Sequence, residues 1–169
     1  MLDLYDGYFQ RFAARFFEDT ETGTIMVSWP WFKAQAMAES SLDPFAVSGS
    51  GAMGLMQLMP DTIKLMVKRL QVYEEPFDPR WSIMAGIRYD RHLWDIFKKE
   101  KGLERLRFVL GAYNAGPGNI IKAQRHTDRP NIWEAVSHEL EAITGPKNSL
   151  QTRTYVKRVE RYRLQIIED

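Results

Sequence analysis

The stretch from Ala36 to Pro60, AMAESSLDPFAVSGSGAMGLMQLMP, constrains this chain more than any other. A strongly apolar, aromatic run from Met26 to Ala38 predicts a buried helix that ends at Ser40 or Ser41, with Glu39 at its lip. A carboxyl group placed there is half desolvated. Desolvation disfavours the charged form, so the Glu39 pKa is expected to be raised and the group to be able to act as a general acid. Beyond it the chain cannot stay helical, because Pro44 biases Asp43 towards extended geometry and Ser48, Gly49, Ser50 and Gly51 form a hydroxyl-rich loop. That loop is expected to open a groove beside Glu39. The chain then recloses through Met53, Gly54, Leu55, Met56, Gln57, Leu58 and Met59 before Pro60, where Gln57 is the lone amide among thioethers and leucines.

Taken singly, these features have ordinary explanations: a glutamate ending a helix is commonly solvated, and a Gly/Ser loop is commonly only a loop. Taken together they form a pattern. Glu39-Ser40, Pro44, Ser48, Gly51, Gly54-Leu55-Met56-Gln57 and Met59-Pro60 resemble the catalytic segment of the lytic transglycosylases, bacterial enzymes of lysozyme-like fold that cleave peptidoglycan glycan strands. Ala112-Tyr113-Asn114-Ala115-Gly116-Pro117-Gly118 resembles the second motif of that family, and Thr152-Arg153-Thr154-Tyr155-Val156 its closing one. The three motifs occur in order across most of the chain.

Length and composition fit one domain: 169 residues with 44% hydrophobic and 12% aromatic content suffice for a single core. Residues 1–169 are therefore expected to form one lysozyme-like catalytic domain, with residues 1–25 as an N-terminal packing helix and connector. A formal net charge of +1 gives no reason to expect a nucleic-acid partner. The one basic cluster, Arg153, Lys157, Arg158, Arg161 and Arg163, reads as a solvated helix face that anionic peptidoglycan could favour. Without cysteine there is no disulfide, thiol nucleophile or thiolate metal site. No run of about 18 apolar residues occurs, so no membrane-spanning segment is expected. The N-terminus, MLDLYDGYF, does not read as a secretory signal.

From Leu2 to Phe17 apolar residues recur at helical spacing and predict a first helix with one wide apolar stripe. Ser28 before Trp29-Pro30 reads as an N-cap for a second helix running to Glu39. Pro60-Asp61 starts a third, with Asp61 read as its cap, ending near Val72. Asp78-Pro79 starts a long helix to about Lys99 whose core face is Ile83, Met84, Ile87, Leu93, Trp94 and Phe97. Gly102 is a stop, and Leu103 to Tyr113 restarts with Leu106, Val109 and Leu110 inward. The turn from Tyr113 to Gly118 projects a phenol and an amide from one place, although a plain Gly/Pro helix break with Tyr113 in the core has the same signature. A short helix from Asn119 to about Arg125 follows, then Asn131 and Glu134 as a capping pair for a helix to Leu140. Thr144 to Ser149 reads as a loop before a last helix from about Leu150 to Ile167. No long strand, repeat or low-complexity segment is predicted. The pattern predicts an all-α fold with at most a small hairpin near Gly23 or in the Ser48 loop, and the resemblance implies that it is of the lysozyme-like superfamily, with an active-site cleft.

His92, His126 and His138 are scattered and lack metal-site spacing, so neither a metal nor a cofactor is expected. Glycosidases ordinarily use two carboxylates, and the nearest to Glu39 in sequence are Asp43 and Asp61. Asp43 fits the capping of a local turn and Asp61 the capping of a helix, which leaves one acid to serve twice. The resemblance implies how: Glu39 protonates the oxygen between MurNAc and GlcNAc, the 2-acetamido carbonyl stabilises the sugar cation, and ionised Glu39 then takes the proton of the muramyl 6-hydroxyl as it attacks C1. A 1,6-anhydromuramyl end results. The resemblance further implies that Ser48, Gln57, Met59, Tyr113, Asn114, Tyr155 and Gln151 bind substrate. Gln151 departs from the family, which commonly carries an acid just before the closing motif. The five tryptophans, Trp29, Trp31, Trp81, Trp94 and Trp133, read as core.

A goose-type, hydrolytic lysozyme and a non-catalytic glycan-binding or secretion-apparatus domain share the fold; the intact Glu39 speaks against the latter. The expected partner is the peptidoglycan glycan strand, met by a monomer in the bacterial periplasm or cell envelope.

Overall fold

The computed structural model describes residues 4–168. Leu2, the expected start of the first apolar stripe, lies outside the described residues. Among the described residues eight helices follow one another: α1 Asp6–Phe17, α2 Trp29–Ser40, α3 Pro60–Leu70, α4 Pro79–Ile96, α5 Gly102–Ala115, α6 Pro117–Gln124, α7 Trp133–Thr144 and α8 Pro146–Glu168. Among the described residues, β-pairing is limited to isolated bridges between Glu18 and Ile25, Val47 and Met53, and Met53 and Leu58. These fall at the two places where the sequence allowed a small hairpin. The chain forms two compact units, Met1–Arg91 with Val159–Asp169, and His92–Arg158.

In the first unit α1 packs on α2 through a phenylalanine seam in which the Phe17 and Phe32 rings lie 5.1 Å apart. The stripe of α1 is narrower than its sequence suggests. Phe9, Phe12, Ala13 and Phe17 are buried, but Tyr8 is exposed and Leu4 and Tyr5 precede the helix, with Tyr5 left-handed. Lys33, fully buried on α2, forms an ion pair with Asp6, which removes the penalty of an uncompensated charge in the core. On α3, Asp61 does not cap. Met59 is the N-cap residue, and the Asp61 side chain lies in solvent 3.5 Å from Lys64. Asp78 does cap α4, accepting the Trp81 amide at 2.7 Å.

In the second unit α6 packs on both α5 and α7. Its core is aromatic, with Phe108 5.5 Å from Phe97 and edge-on to Trp133 at 5.6 Å. Arg105 stacks its guanidinium 4.1 Å from the Trp94 ring centroid and donates to the Trp94 carbonyl. The expected Asn131–Glu134 capping pair is absent. Glu104 of α5 accepts the Trp133 amide at 2.6 Å, while Glu134 bonds His138 one turn along. A partner distant in sequence thus displaced a local one. Thr144 to Ser149 is not a loop either: Gly145, at φ 82, breaks the chain in a single residue, and Pro146 begins α8 directly.

Candidate active site

The first unit builds the environment of Glu39. The residue occupies the last turn of α2 and is half-buried. The helix cannot continue, because Ser41 and Leu42 both take left-handed φ angles, 57° and 65°, a conformation that costs a side-chain-bearing residue about 1–2 kcal/mol. Two bonds recover part of that cost: Ser41 donates its amide to the Met37 carbonyl, and the Ser40 hydroxyl reaches the Leu55 carbonyl at 2.8 Å. Asp43 then accepts the Phe45 amide at 2.9 Å, the local capping role its position predicts. The Ser48 loop is a hydrogen-bonded tip. The Ser48 amide donates to the Ala52 carbonyl, and its hydroxyl accepts the Ala52 amide and lies 3.0 Å from Ser50 Oγ.

Gln57 sits in the left-handed region, at φ 48. Its Nε2 donates both protons to backbone, to Ala46 at 3.0 Å and Gly54 at 2.9 Å, so the amide pins the Ala46–Gln57 loop and only its Oε1 is left as an acceptor. Gly54 explains why the motif needs a glycine. Its φ is 75, and a Cβ there would stand 1.9 Å from the Pro76 carbonyl oxygen. Met59 is exposed just before α3.

Asp43 is engaged in its local turn and Asp61 lies in solvent beside Lys64, and a third acid, missed from sequence, bears on Glu39. Asp90 on α4 is 1% exposed, and its Oδ1 accepts Gln35 Nε2 at 3.2 Å; Gln35 is also 1% exposed. Burial pushes the Asp90 carboxyl well above the usual carboxylate range, the Gln35 bond opposes this, and the charge of Glu39 adds to it. The folded protein therefore binds this proton more tightly than the unfolded chain. Stability is greatest below the unfolded pKa near 4 and declines as pH rises towards the folded value. Tyr89, also pushed up, owes its shift first to burial and then to Asp90, with the Thr62 hydroxyl opposing it. The signal for Asp90 was available. It lies three residues from both Ile87 and Leu93 on the apolar face of α4, and Gln35 interrupts the apolar run of α2.

The second unit holds the remaining residues singled out from sequence. Tyr113 and Asn114 are half-buried in the last turn of α5. Asn114 and Gln151 line a cavity of about 190 Å³ together with Asn119, Asn148, Thr144 and Thr152. Apart from Ala115 the lining side chains are amides and hydroxyls, without a charge. The Thr152 hydroxyl donates its one proton between Asn114 Oδ1 at 2.8 Å and the Asn148 carbonyl at 3.0 Å. Tyr155 is 2% exposed. A larger cavity of about 360 Å³, lined by Lys98, Lys99, Glu100 and Arg125 among others, holds none of these residues. Of the five tryptophans, Trp81, Trp94 and Trp133 are buried, as their helical spacing suggests.

An all-α fold that ends a buried helix on a half-exposed glutamate and follows it with a pinned Gly/Ser loop is the lysozyme-like fold of the lytic transglycosylases. The model of the transglycosylase SLT domain matches residues 18–136, and the chain belongs to that family. The 70 kDa soluble lytic transglycosylase of Escherichia coli superposes with a TM-score of 0.72 at 27% identity, over 94% of this chain and 23% of that one. An inactive mutant of the Pseudomonas aeruginosa lytic transglycosylase Slt, in which a glutamine replaces a glutamate, gives 0.67 at 25%, over 83% and 21%. Among curated proteins, the membrane-bound lytic murein transglycosylase F of Maricaulis maris is 31% identical over 150 residues, 80% of this chain and 32% of that protein. The Vibrio cholerae protein of the same name is 29% identical over 174 residues, 94% and 30%. The chain spans about a third of the length of these curated relatives.

Proposed function

We propose that this chain is a catalytic domain that cleaves the β-1,4 bond between MurNAc and GlcNAc of peptidoglycan by transglycosylation, with Glu39 as acid and then base. The observation that carries the reading is the setting of Glu39: half-buried at a helix end, with Asp43 and Asp61 engaged elsewhere and Asp90 sealed in the core. Glu39 gives its proton to the glycosidic oxygen as the C1–O bond breaks. The acetamido carbonyl of the same sugar holds the positive charge at C1. The carboxylate left behind then accepts the proton of the 6-hydroxyl as O6 bonds to C1, so the acid is regenerated and no water is consumed.

Ser48, Gln57, Met59, Tyr113, Asn114 and Gln151 are the proposed glycan contacts, with Tyr155, 2% exposed, as a buried support behind them. Gln57 Oε1 offers an acceptor, and the uncharged surroundings of Asn114 and Gln151 suit acetamido and hydroxyl groups. The family match runs across the boundary between the two compact units, so residues 1–169 are read as one catalytic domain. Relatives named for murein, some of them membrane-bound, support a place in the bacterial cell envelope. Among the described residues no helix is long and apolar enough to cross a membrane.

Clearing of a suspension of purified murein tests this reading. The rate should fall on the alkaline side as Glu39 loses the proton it must give, and on the acid side as the later base step loses its carboxylate. A flat profile from about pH 4 to about pH 8 would contradict a single acid and base.

A further inference from the structure

Nothing in the proposed reaction uses the buried pair Asp90–Gln35. We propose that Asp90 is a positioning residue for Glu39: a neutral carboxyl, oriented by Gln35, whose O–H dipole steadies the Glu39 carboxylate while that group waits to act as base. The inference rests on the transglycosylase reading and concerns the same site.

Gln35 and Glu39 are four residues apart on α2 and therefore share a face of that helix, so the side chain bonded to Gln35 approaches the face that carries Glu39. Oδ1 of Asp90 accepts from Gln35, which places the carboxyl proton on Oδ2. Oδ2 is buried and has no hydrogen-bond partner among the described residues, so its O–H dipole is not spent on a neighbour. Glu39 of α2 bears on Asp90, and Tyr89, beside it on α4, is a phenol that Asp90 itself pushes up. Lys33 of α2 is engaged by Asp6, and Arg91 of α4 by the Phe16 carbonyl and the Phe17 ring.

Sealed in the core, where burial pushes its carboxyl up, Asp90 is not placed to serve as a second catalytic carboxylate. A neutral acid in an apolar site instead works as a fixed dipole, and a dipole in a low-dielectric setting acts on a nearby anion with little reorganisation. The expected effect is to hold Glu39 at a lower pKa than its burial alone would set. Glu39 then becomes a ready base once it has given up its proton.

The test compares wild type with Asp90→Leu and Asp90→Asn, reading the Glu39 titration by carboxyl-carbon NMR and the pH profile of murein clearing. In Asp90→Leu the Glu39 midpoint and the alkaline limb should both move up by at least about half a pH unit, and kcat should fall about tenfold with KM little changed. Asp90→Asn keeps a neutral donor and should restore both. A merely structural Asp90 would lower the melting temperature of Asp90→Leu without moving either pH value, and that result overturns the proposal. Loss of activity in Asp90→Asn as deep as removal of Glu39 also overturns it, because the ionised form would then be the one required.

If Asp90→Leu does not fold, infrared difference spectra of wild type against Asp90→Asn decide. A protonated-carboxyl stretch should persist above the pH at which Glu39 ionises and be missing from the variant; its absence in wild type defeats the proposal. The decline in stability above pH 4 should likewise be shallower in Asp90→Asn. The NMR, infrared and stability readings do not depend on turnover, so a chain inert towards murein would refute the function while leaving the Asp90–Glu39 coupling to stand or fall by itself.

Discussion

Replacing Glu39 with glutamine should lower murein cleavage about 10³-fold or more while leaving the fold intact. The amide has the shape of the acid, so the end of α2, the Ser40 bond to Leu55 and the left-handed pair Ser41–Leu42 have no reason to change. It has no proton to give to the glycosidic oxygen and no lone-pair basicity to take one from the 6-hydroxyl, so both halves of the reaction are lost at once. General acid–base catalysis contributes about 10²–10⁴-fold, and a group used twice belongs at the upper end of that range. The measurement is clearing of purified murein at matched folded-protein concentration, with circular dichroism as the folding control. Near wild-type clearing by Glu39→Gln would end the assignment of Glu39.

Gly54→Ala should be the most damaging single methyl added in the loop that follows Glu39. Two independent costs coincide there. An alanine at φ 75 loses about 1–2 kcal/mol to the left-handed conformation. Its Cβ would also stand 1.9 Å from the Pro76 carbonyl oxygen, a backbone atom that cannot swing aside as a side chain could. A loss of about 3 kcal/mol or more is expected, which for a chain of this size lowers the melting temperature by about 6–12 °C. Gly7→Ala is the matched control. That glycine lies inside α1 with nothing within 4 Å of its Cβ position, and the same methyl there should be neutral or mildly stabilising. Equal melting temperatures for Gly54→Ala and wild type would show that the loop yields more easily than its contacts imply.

The helices were legible from sequence wherever punctuation and periodicity agreed. Asp78-Pro79 announced the start of α4, and Ile83, Met84, Ile87, Leu93, Trp94 and Phe97 are all buried, as their spacing suggests. Legibility failed where a distant residue supplied what a local one was expected to give. Glu104 caps α7 from another helix, and a pattern of neighbours cannot reveal a partner 29 residues away. Asp61 looked like a cap because it follows a proline, but the helix already begins at that proline.

The candidate site divides in the same way. Glu39 stood out because a charge at the end of an apolar run is costly unless it is used. The loop chemistry of Gly54 and Gln57 could be suspected from residue types, but the reason for it, a carbonyl pressed against Gly54 and a side-chain amide spent on two backbone carbonyls, is tertiary. Asp90 escaped notice although it broke the apolar stripe of α4. It is far from Glu39 along the chain, and nearness in sequence says little about which carboxyl groups influence one another in the fold.

The number of carboxylates able to work decides between the two possible reactions, because a hydrolase needs a second group to activate water, ordinarily a carboxylate acting as base or nucleophile. The acid that feels Glu39 is sealed in the core at 1% exposure, where it has no access to a water it could activate. A 6-hydroxyl tethered to the reacting sugar needs no such group, since intramolecular attack carries an effective molarity of roughly 10⁵ M or more. Mass spectrometry of digested murein, before and after borohydride treatment, separates the two chemistries. Transglycosylation predicts muropeptides lighter by one water than reducing ones and unchanged by borohydride, whereas a preponderance of reducible ends would mean hydrolysis and contradict a site with one working carboxylate.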